Sequence, residues 1–221
     1  MTNDNLSSLD FLHSYCQFEQ PNHVWVLTGI VRNKDNGDSE HNKWMRRLII
    51  RSPEDIESCY NDIKAMGNIK GVTYRMYCSL NARDVTKALF SYQRTLLDIG
   101  YDLFKNCDIT LDHIKRMDSA WKTELLQTSN RATKRFLLDI DLDNGQLMDG
   151  ILAYLETITT VRAIRKTVSG YHIVFDACDT RELMSKWKDY PIDLQRDSLL
   201  FVETWEGERM YNSLGNPINN P

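Results

Sequence analysis

The segment with the strongest chemical signal is residues 135–143, RFLLDIDLD, in which an apolar stretch ends in aspartates. On a β-strand, the two-residue spacing of Asp139, Asp141 and Asp143 directs all three carboxylates to one face. Like charges repel there, so the strand is either a solvated edge or holds a divalent cation through oxygen ligands. The apolar residues before them make uncompensated charge costly, which favours the cation for Asp139 and Asp141. Asp143 is better explained as part of the following Asp-Asn-Gly turn.

Residues 166–175, KTVSGYHIVF, form a second informative segment, which combines β-branched and aromatic residues with Ser169, Gly170 and His172. Glycine at a turn permits close backbone approach, and a hydroxyl, a backbone amide and an imidazole can together bind a phosphate chain. Lys166 would add a cation for the same phosphates, although an ordinary surface lysine explains it equally well. Paired with the acidic segment, these residues indicate a metal-assisted phosphate site.

The elements that must position these side chains are a mixture of helices and strands. Hydrophobic periodicity and turn residues predict helices at 7–18, 52–66, 84–104, 110–127, 146–157 and 180–188. They predict strands at 23–31, 44–51, 72–80, 135–143, 161–168, 171–175 and 198–205. This order indicates an α+β fold with a mixed or antiparallel central sheet and flanking helices. The two consecutive helices within residues 84–128 would form a helical insertion.

Composition narrows the class of protein. The net charge of −4 and pI near 5.7 count against a protein that coats nucleic acid through charge alone, although residues 43–51 hold four cations and no acid. Five scattered cysteines without a C-x-x-C pair indicate reduced thiols and no zinc site. The N-terminus lacks a signal-like pattern and no apolar run approaches a membrane span, so we expect a cytoplasmic protein without a membrane partner.

Taken as a pair, the two segments resemble the catalytic motifs of the archaeo-eukaryotic primase superfamily, the primases and primase-polymerases. The resemblance covers roughly residues 70–204 and consists of an hhhDhD strand, a strand that carries S-G-x-H where the family has SxH, and a later acidic residue. It implies that Asp139 and Asp141 bind divalent metal and are catalytic. It also implies that Ser169 and His172 contact the triphosphate of the incoming nucleotide.

The third acidic residue, which completes the metal site in that family, has several candidates here. Asp193 lies in PIDLQ, Asp197 lies in QRDSLLF, and Glu203 follows in the same region. We assign the catalytic and metal-binding role to Asp197, because it directly precedes the apolar SLLFV. The arginine-rich segment that often follows this motif is reduced to Arg209, and there is no zinc-binding cysteine cluster. These departures leave primer synthesis and simple extension both open.

Two arginines near the end of a predicted strand are further candidates for nucleotide binding. Arg75 and Arg83 lie in YRMYCSLNARD, together with Asn81. The forked guanidinium group suits a phosphate or a template strand because it pairs bidentately. An ordinary loop and helix cap at 81–84 is the equally good alternative.

The resemblance therefore implies an enzyme, a nucleotidyltransferase of primase-polymerase type that extends a nucleic-acid 3′ end or synthesises primers in DNA replication. It requires Mg²⁺ or Mn²⁺ and acts on nucleoside triphosphates with a DNA or RNA template. Because the chain has no P-loop, a helicase or other replication protein would be a separate partner. The alternatives are a metal-dependent nuclease and a catalytically inactive nucleotide- or DNA-binding protein of the same fold.

The same resemblance implies a primase-like, RRM-like catalytic core. Residues 1–70 would be its N-terminal α/β part, residues 71–205 the catalytic part with the helical insertion at 84–128, and residues 206–221 a flexible tail. The small size and lack of accessory domains suit a phage protein, which would act in the cytoplasm of its host.

Overall fold

The computed structural model of the protein describes residues 6–37, 44–67, 69–105 and 114–207. Residues 38–43, nearly all of the predicted tail and the first residues of the second predicted insertion helix therefore lie outside the described residues. The described chain is a mixed α+β fold in which two antiparallel sheets pack together, with helices around them.

The described strands divide between the two sheets. They are β1 (His23–Val31), β2 (Met45–Ile50), β3 (Thr73–Ser79), β4 (Arg83–Asp84), β5 (Arg135–Ile140), β6 (Val161–Lys166), β7 (Tyr171–Asp176), β8 (Ile192–Gln195) and β9 (Leu199–Glu206). The first sheet has the order β2-β1-β3-β9, with the short β4 paired to the start of β1. The second sheet has the order β6-β7-β5-β8.

The described helices surround these sheets. They are α1 (Ser8–Tyr15), α2 (Asn33–Asn36), α3 (Asp55–Met66), α4 (Val85–Lys105), α5 (Met117–Leu125), α6 (Gly145–Ile158) and α7 (Arg181–Lys186). Side-chain caps stabilise the N-termini of two helices. Ser7 accepts a hydrogen bond from the Asp10 amide at the start of α1, and Asn144 accepts one from the Leu147 amide at the start of α6. In the described part of the chain, no helix is long and apolar enough to cross a membrane.

Alternation along β5 separates two hydrophobic cores. Leu137 belongs to the core between the two sheets, where it meets Trp25, Leu200 and other residues of the first sheet and of α1. Leu138 and Ile140 face the opposite way, into the core that α6 and α7 cover. Asp139 shares the face of Leu137, because strand side chains alternate with a period of two. The acidic side chain is therefore directed towards the first sheet.

The predicted α+β class, with antiparallel sheets and flanking helices, is confirmed. The prediction of one central sheet is wrong, since the strands form two. The predicted strand over 135–143 stops at Ile140, because the chain then turns into the cap of α6. Three elements of two to four residues, β4, α2 and β8, were not predicted because they are too short to produce a periodic pattern.

The first sheet takes strands from both sides of the boundary predicted at residue 70. β1 and β2 precede it, and β3 and β9 follow it. The helices α4 and α5 of the predicted insertion pack on the first sheet through a cluster of Val24, Val26, Ala88 and Leu125. These two helices therefore cover one part of the first sheet. The four cysteines within the described ranges are free thiols.

The turn between β6 and β7 packs tightly against the end of β5. A β-carbon added at Gly170 would lie 1.8 Å from the carbonyl oxygen of Ile140 and 2.8 Å from the amide nitrogen of Leu142. Both are backbone atoms on either side of Asp141 and cannot move away independently. Only glycine permits this approach, which fixes the position of Asp141 relative to the turn that carries Ser169.

We predict that Gly170→Ala lowers the free energy of unfolding by about 3 kcal/mol or more, because the new methyl group forces the turn away from β5. Urea unfolding followed by circular dichroism measures this. The matched control is Gly150→Ala in α6, where nothing lies within 4 Å of the added carbon. That change should stabilise the helix by about 0.5–1 kcal/mol. Equal stability of the two variants would contradict the packing described for the turn.

Candidate functional site

The acidic strand and the serine-histidine strand are direct neighbours in the second sheet. β5 pairs with β7 so that Asp139 lies opposite His172, and the His172 Nε2 atom is 3.3 Å from Asp139 Oδ1. In the adjoining turn, the Ser169 hydroxyl donates to Asp141 Oδ1 at 3.0 Å. Directly opposed residues of an antiparallel pair project to the same face. The four side chains therefore form one continuous surface, which we call the acidic wall.

The acidic wall forms one side of a cavity of about 420 Å³ between the two sheets. The first sheet and the segment after β1 supply three cationic side chains, Arg32, Lys34 and Arg75, which we call the basic wall. Tyr77 and Phe201 pack edge to face, with ring centroids 5.9 Å apart, and line the cavity beside these cations. The cavity thus places carboxylates and guanidinium groups around one solvent-accessible space.

A backbone amide determines the hydrogen-bonding state of His172. The Phe201 N–H group on β9 donates to His172 Nδ1 at 3.2 Å, so this nitrogen acts as an acceptor. In the neutral imidazole the proton then resides on Nε2, which is the atom directed towards Asp139. His172 is largely buried, with 8% of its surface exposed. It is held as a hydrogen-bond donor at the surface of the cavity.

The cations of the basic wall differ in how they are paired. Arg75 forms a bidentate ion pair with Asp35, in which Arg75 Nε donates to Asp35 Oδ2 at 2.6 Å. Burial is the largest single influence and lowers the pKa of Arg75, but the hydrogen bonds and charges of Asp35 and Tyr77 together outweigh it, so the net pKa is raised. Arg32 donates to the Tyr77 hydroxyl at 3.1 Å. Arg32 and Lys34 have no acidic partner among the residues for which the structure gives contacts.

Asp197, the predicted third acid, is engaged in a buried ion pair. Its carboxylate accepts from Arg83 Nη1 at 2.9 Å and from Arg83 Nη2 at 2.8 Å, and from Asn81 at 3.2 Å. The side chains of Asp197 and Arg83 are only 6% and 2% exposed, and neither lines the cavity. Asn81 also accepts from the Arg135 amide at 2.7 Å. This group joins the loop before β9 to β5, away from the acidic wall.

The other two candidates for the third acid lie in different surroundings. Asp193 on β8 is directly opposite Asp139 in the strand register, is exposed, and accepts from Gln195 at 3.2 Å. Glu203 on β9 accepts from the Tyr60 hydroxyl at 2.9 Å and lies 3.1 Å from Lys64 Nζ. Of the three acids, Asp193 is the one that is paired in register with a member of the acidic wall.

Asp143 and Lys166 bind each other at the surface. Lys166 Nζ is 3.1 Å from Asp143 Oδ2, and the Tyr171 hydroxyl donates to Asp143 Oδ1 at 2.9 Å. These two hydrogen bonds, that of Tyr171 first, lower the pKa of Asp143. Neither Asp143 nor Lys166 lines the cavity, so the structure separates them from Asp139 and Asp141.

The number of acidic ligands around the cavity is small. Within the four described ranges, no group of three or more His, Cys, Asp or Glu side chains is arranged to hold a metal ion. Among the residues that the structure describes, Asp139 and Asp141 are the two carboxylates that line the cavity.

Sequence reasoning missed several residues of the cavity, chiefly Arg32, Lys34, Tyr77, Phe201 and Gln195. Tyr77 and Gln195 lie within segments already considered for Arg75 and for the third acid, but nothing in their own residue types marks them as site residues. Arg32 and Lys34 follow β1 in a polar segment, and Phe201 lies within the apolar β9. Tyr77 and Phe201 reach the site because β3 pairs with β9, and Gln195 reaches it because β8 pairs with β5; neither register can be read from local sequence.

Comparisons with protein-family models, with curated proteins and with solved structures found no match to this chain.

We predict that Asp197→Asn destabilises the protein by about 3–5 kcal/mol, because it leaves the buried Arg83 guanidinium without its counter-ion. The matched control is Asp193→Asn, at an exposed position, where the change should be within about 0.5 kcal/mol. Chemical unfolding of both variants gives the comparison. A stable Asp197→Asn protein would contradict the structural role of the Arg83 pair.

Proposed function

We propose that the protein is a metal-dependent nucleotidyltransferase of primase-polymerase type, which extends a nucleic-acid 3′ end or synthesises primers. The observation that carries this proposal is the register of β5 and β7, which pairs Asp139 with His172 at the surface of one cavity. Carboxylates beside a phosphate-directed donor, with cations in the same cavity, are the groups that phosphoryl transfer requires.

The metal would be Mg²⁺ or Mn²⁺, held by Asp139 and Asp141 with Asp193 as the nearest further carboxylate in the strand register. Magnesium sites of this kind commonly take one or two carboxylates from the protein and complete their coordination with water and substrate phosphate. The two carboxylates of the cavity match that donor set, and within the described ranges neither cysteine nor a histidine cluster accompanies them. A bound divalent cation would stabilise charge on the attacking and leaving oxygens of the transferred phosphate.

The protein's own groups would bind and orient the triphosphate. His172 can donate from Nε2 to a phosphate oxygen, because its Nδ1 is already engaged by the Phe201 amide. Ser169 can donate from the same wall, and the basic wall balances phosphate charge from the other sheet. Lys166 and Arg83 have no place in this proposal, since each is paired with a carboxylate outside the cavity.

The proposal includes the family resemblance. Two antiparallel sheets around a cleft would correspond to the primase-like, RRM-like core, with α4 and α5 as the helical insertion. A DNA or RNA template and a separate helicase or replication protein would then be the partners, in the cytoplasm of the cell or of a phage host.

The direct test is a labelled primer-template incubated with the protein, Mn²⁺ and nucleotides. We predict that the natural protein lengthens the primer. In the double variant Asp139→Asn/Asp141→Asn, the extension activity should fall by at least about 10²-fold. The control is Asp176→Asn, which removes a carboxylate from the exposed pair with Arg162 outside the cavity. Shortening of the primer would instead indicate a nuclease, and nucleotide binding without turnover would indicate an inactive binding protein. Either outcome contradicts the proposal.

The role of His172 can be separated from its structural contribution by two substitutions. In His172→Gln, the glutamine amide nitrogen would reach the position of Nε2 and keep a donor in the cavity. In His172→Asn, the shorter asparagine side chain would keep the acceptor for the Phe201 amide, but its amide nitrogen would not reach the position of Nε2. We predict that His172→Gln retains more activity than His172→Asn, with the latter reduced about 10²- to 10³-fold. Primer extension and thermal unfolding are measured on both. Higher activity of His172→Asn would mean that the contact with Phe201, and not the donor, is what matters.

A further inference from the structure

Asp35 binds the guanidinium group of Arg75, which would otherwise be open to an anion in the cavity. It binds Arg75 through both carboxylate oxygens, and the two side chains are only 13% and 7% exposed. Arg75 lines the cavity, whereas Asp35 approaches it from α2. A carboxylate and a phosphate bind an arginine fork in the same bidentate geometry. Asp35 therefore satisfies Arg75 in the way that a phosphate group would.

The segment that carries Asp35 is fixed to the first sheet. Asn36 accepts from the Thr73 amide at 2.6 Å and donates to the Thr73 carbonyl at 2.9 Å. The Asn36 side chain also donates to the Arg32 carbonyl at 3.0 Å. Because these contacts hold the backbone of α2, displacement of Asp35 from Arg75 would involve the Asp35 side chain and not the segment as a whole.

Two further cations favour exchange of Asp35 for a more highly charged ligand. Arg32 and Lys34 shortly precede Asp35 in sequence, line the same cavity and have no acidic partner in the described chain. A single carboxylate satisfies one of these three cations, whereas a phosphate chain carries enough charge to engage all three. A phosphate ligand thus gains contacts that Asp35 cannot make.

We propose that Arg32, Lys34 and Arg75 form a phosphate-binding site that Asp35 keeps closed, and that a phosphate ligand opens it by displacing Asp35 from Arg75. This inference deepens the proposed function and rests on it, since that function brings phosphates to this cavity. The phosphate belongs either to a nucleoside triphosphate or to the backbone of a nucleic acid. Asp35 makes binding depend on competition, so that a weakly charged anion does not occupy the site.

The test measures binding in the absence of metal, with EDTA present, so that it does not depend on catalysis. Isothermal titration calorimetry of tripolyphosphate, dATP and a single-stranded oligonucleotide compares the natural protein with Asp35→Asn. We expect Asp35→Asn to bind at least one of them about tenfold more tightly, because the competing carboxylate is gone. Tighter binding of dATP and tripolyphosphate assigns the site to the nucleotide, and tighter binding of the oligonucleotide alone assigns it to the nucleic-acid backbone.

Two controls separate competition from a general change of charge. Asp35→Glu keeps the carboxylate and should bind as the natural protein does. Asp176→Asn removes the same charge from another bidentate arginine pair, outside the cavity, and should change affinity less than about twofold. Unchanged or weaker binding by Asp35→Asn overturns the inference, as does equal tightening by Asp176→Asn.

A measurement on the natural protein covers the case in which Asp35→Asn does not fold. The Nε–Hε NMR signal of Arg75, assigned by its absence in Arg75→Lys, should shift when tripolyphosphate is added. A signal that does not move at saturation overturns the inference. If Asp35→Asn tightens binding as expected but the protein does not extend a primer, only the proposed function is refuted. If the protein extends a primer but Asp35→Asn does not tighten binding, only the inference is refuted.

Discussion

The site depends on the way in which β9 of the first sheet lies against the face of the second. The Phe201 amide of β9 donates to His172, and the Val202 carbonyl accepts from Arg165. Leu200 and Val202 enter the core between the sheets, together with Leu137, Ala163 and Val174 of the second sheet. A single strand thus supplies the apolar contact that closes the core and the polar contact that orients the imidazole. Without this contact between β9 and the second sheet, the acidic and basic walls would not share a cavity.

Burial behind the acidic wall explains why its charges are tolerated and held in place. Leu138 and Ile140 of β5 are fully buried on the side of α6 and α7, so the strand cannot rotate to place its aspartates elsewhere. A slip of one residue would exchange every apolar and acidic side chain between the two faces. The hydrophobic core therefore specifies the direction of Asp139 without contacting the carboxylate.

Local pattern was sufficient for some parts of the site and insufficient for others. Period-two alternation predicts that Asp139 and Asp141 share a face, and both line the cavity. Asp197 illustrates the limit, since its partner Arg83 lies 114 residues earlier and no local feature of QRDSLLF indicates that ion pair. The fold class was predictable from the order of strands and helices, whereas the division into two sheets depends on long-range pairing. The basic wall depends on that same pairing.

The central claim is that Asp139 on β5, Asp141 directly after β5 and the imidazole of β7 serve one metal and one nucleotide in the cavity between the sheets. The most direct measurement is anomalous X-ray scattering from a crystal grown with Mn²⁺ and a non-hydrolysable nucleoside triphosphate. The account predicts a manganese peak beside Asp139 and Asp141, with the phosphate chain within hydrogen-bonding distance of His172 Nε2. Manganese and nucleotide bound elsewhere, with this cavity holding neither, would contradict it.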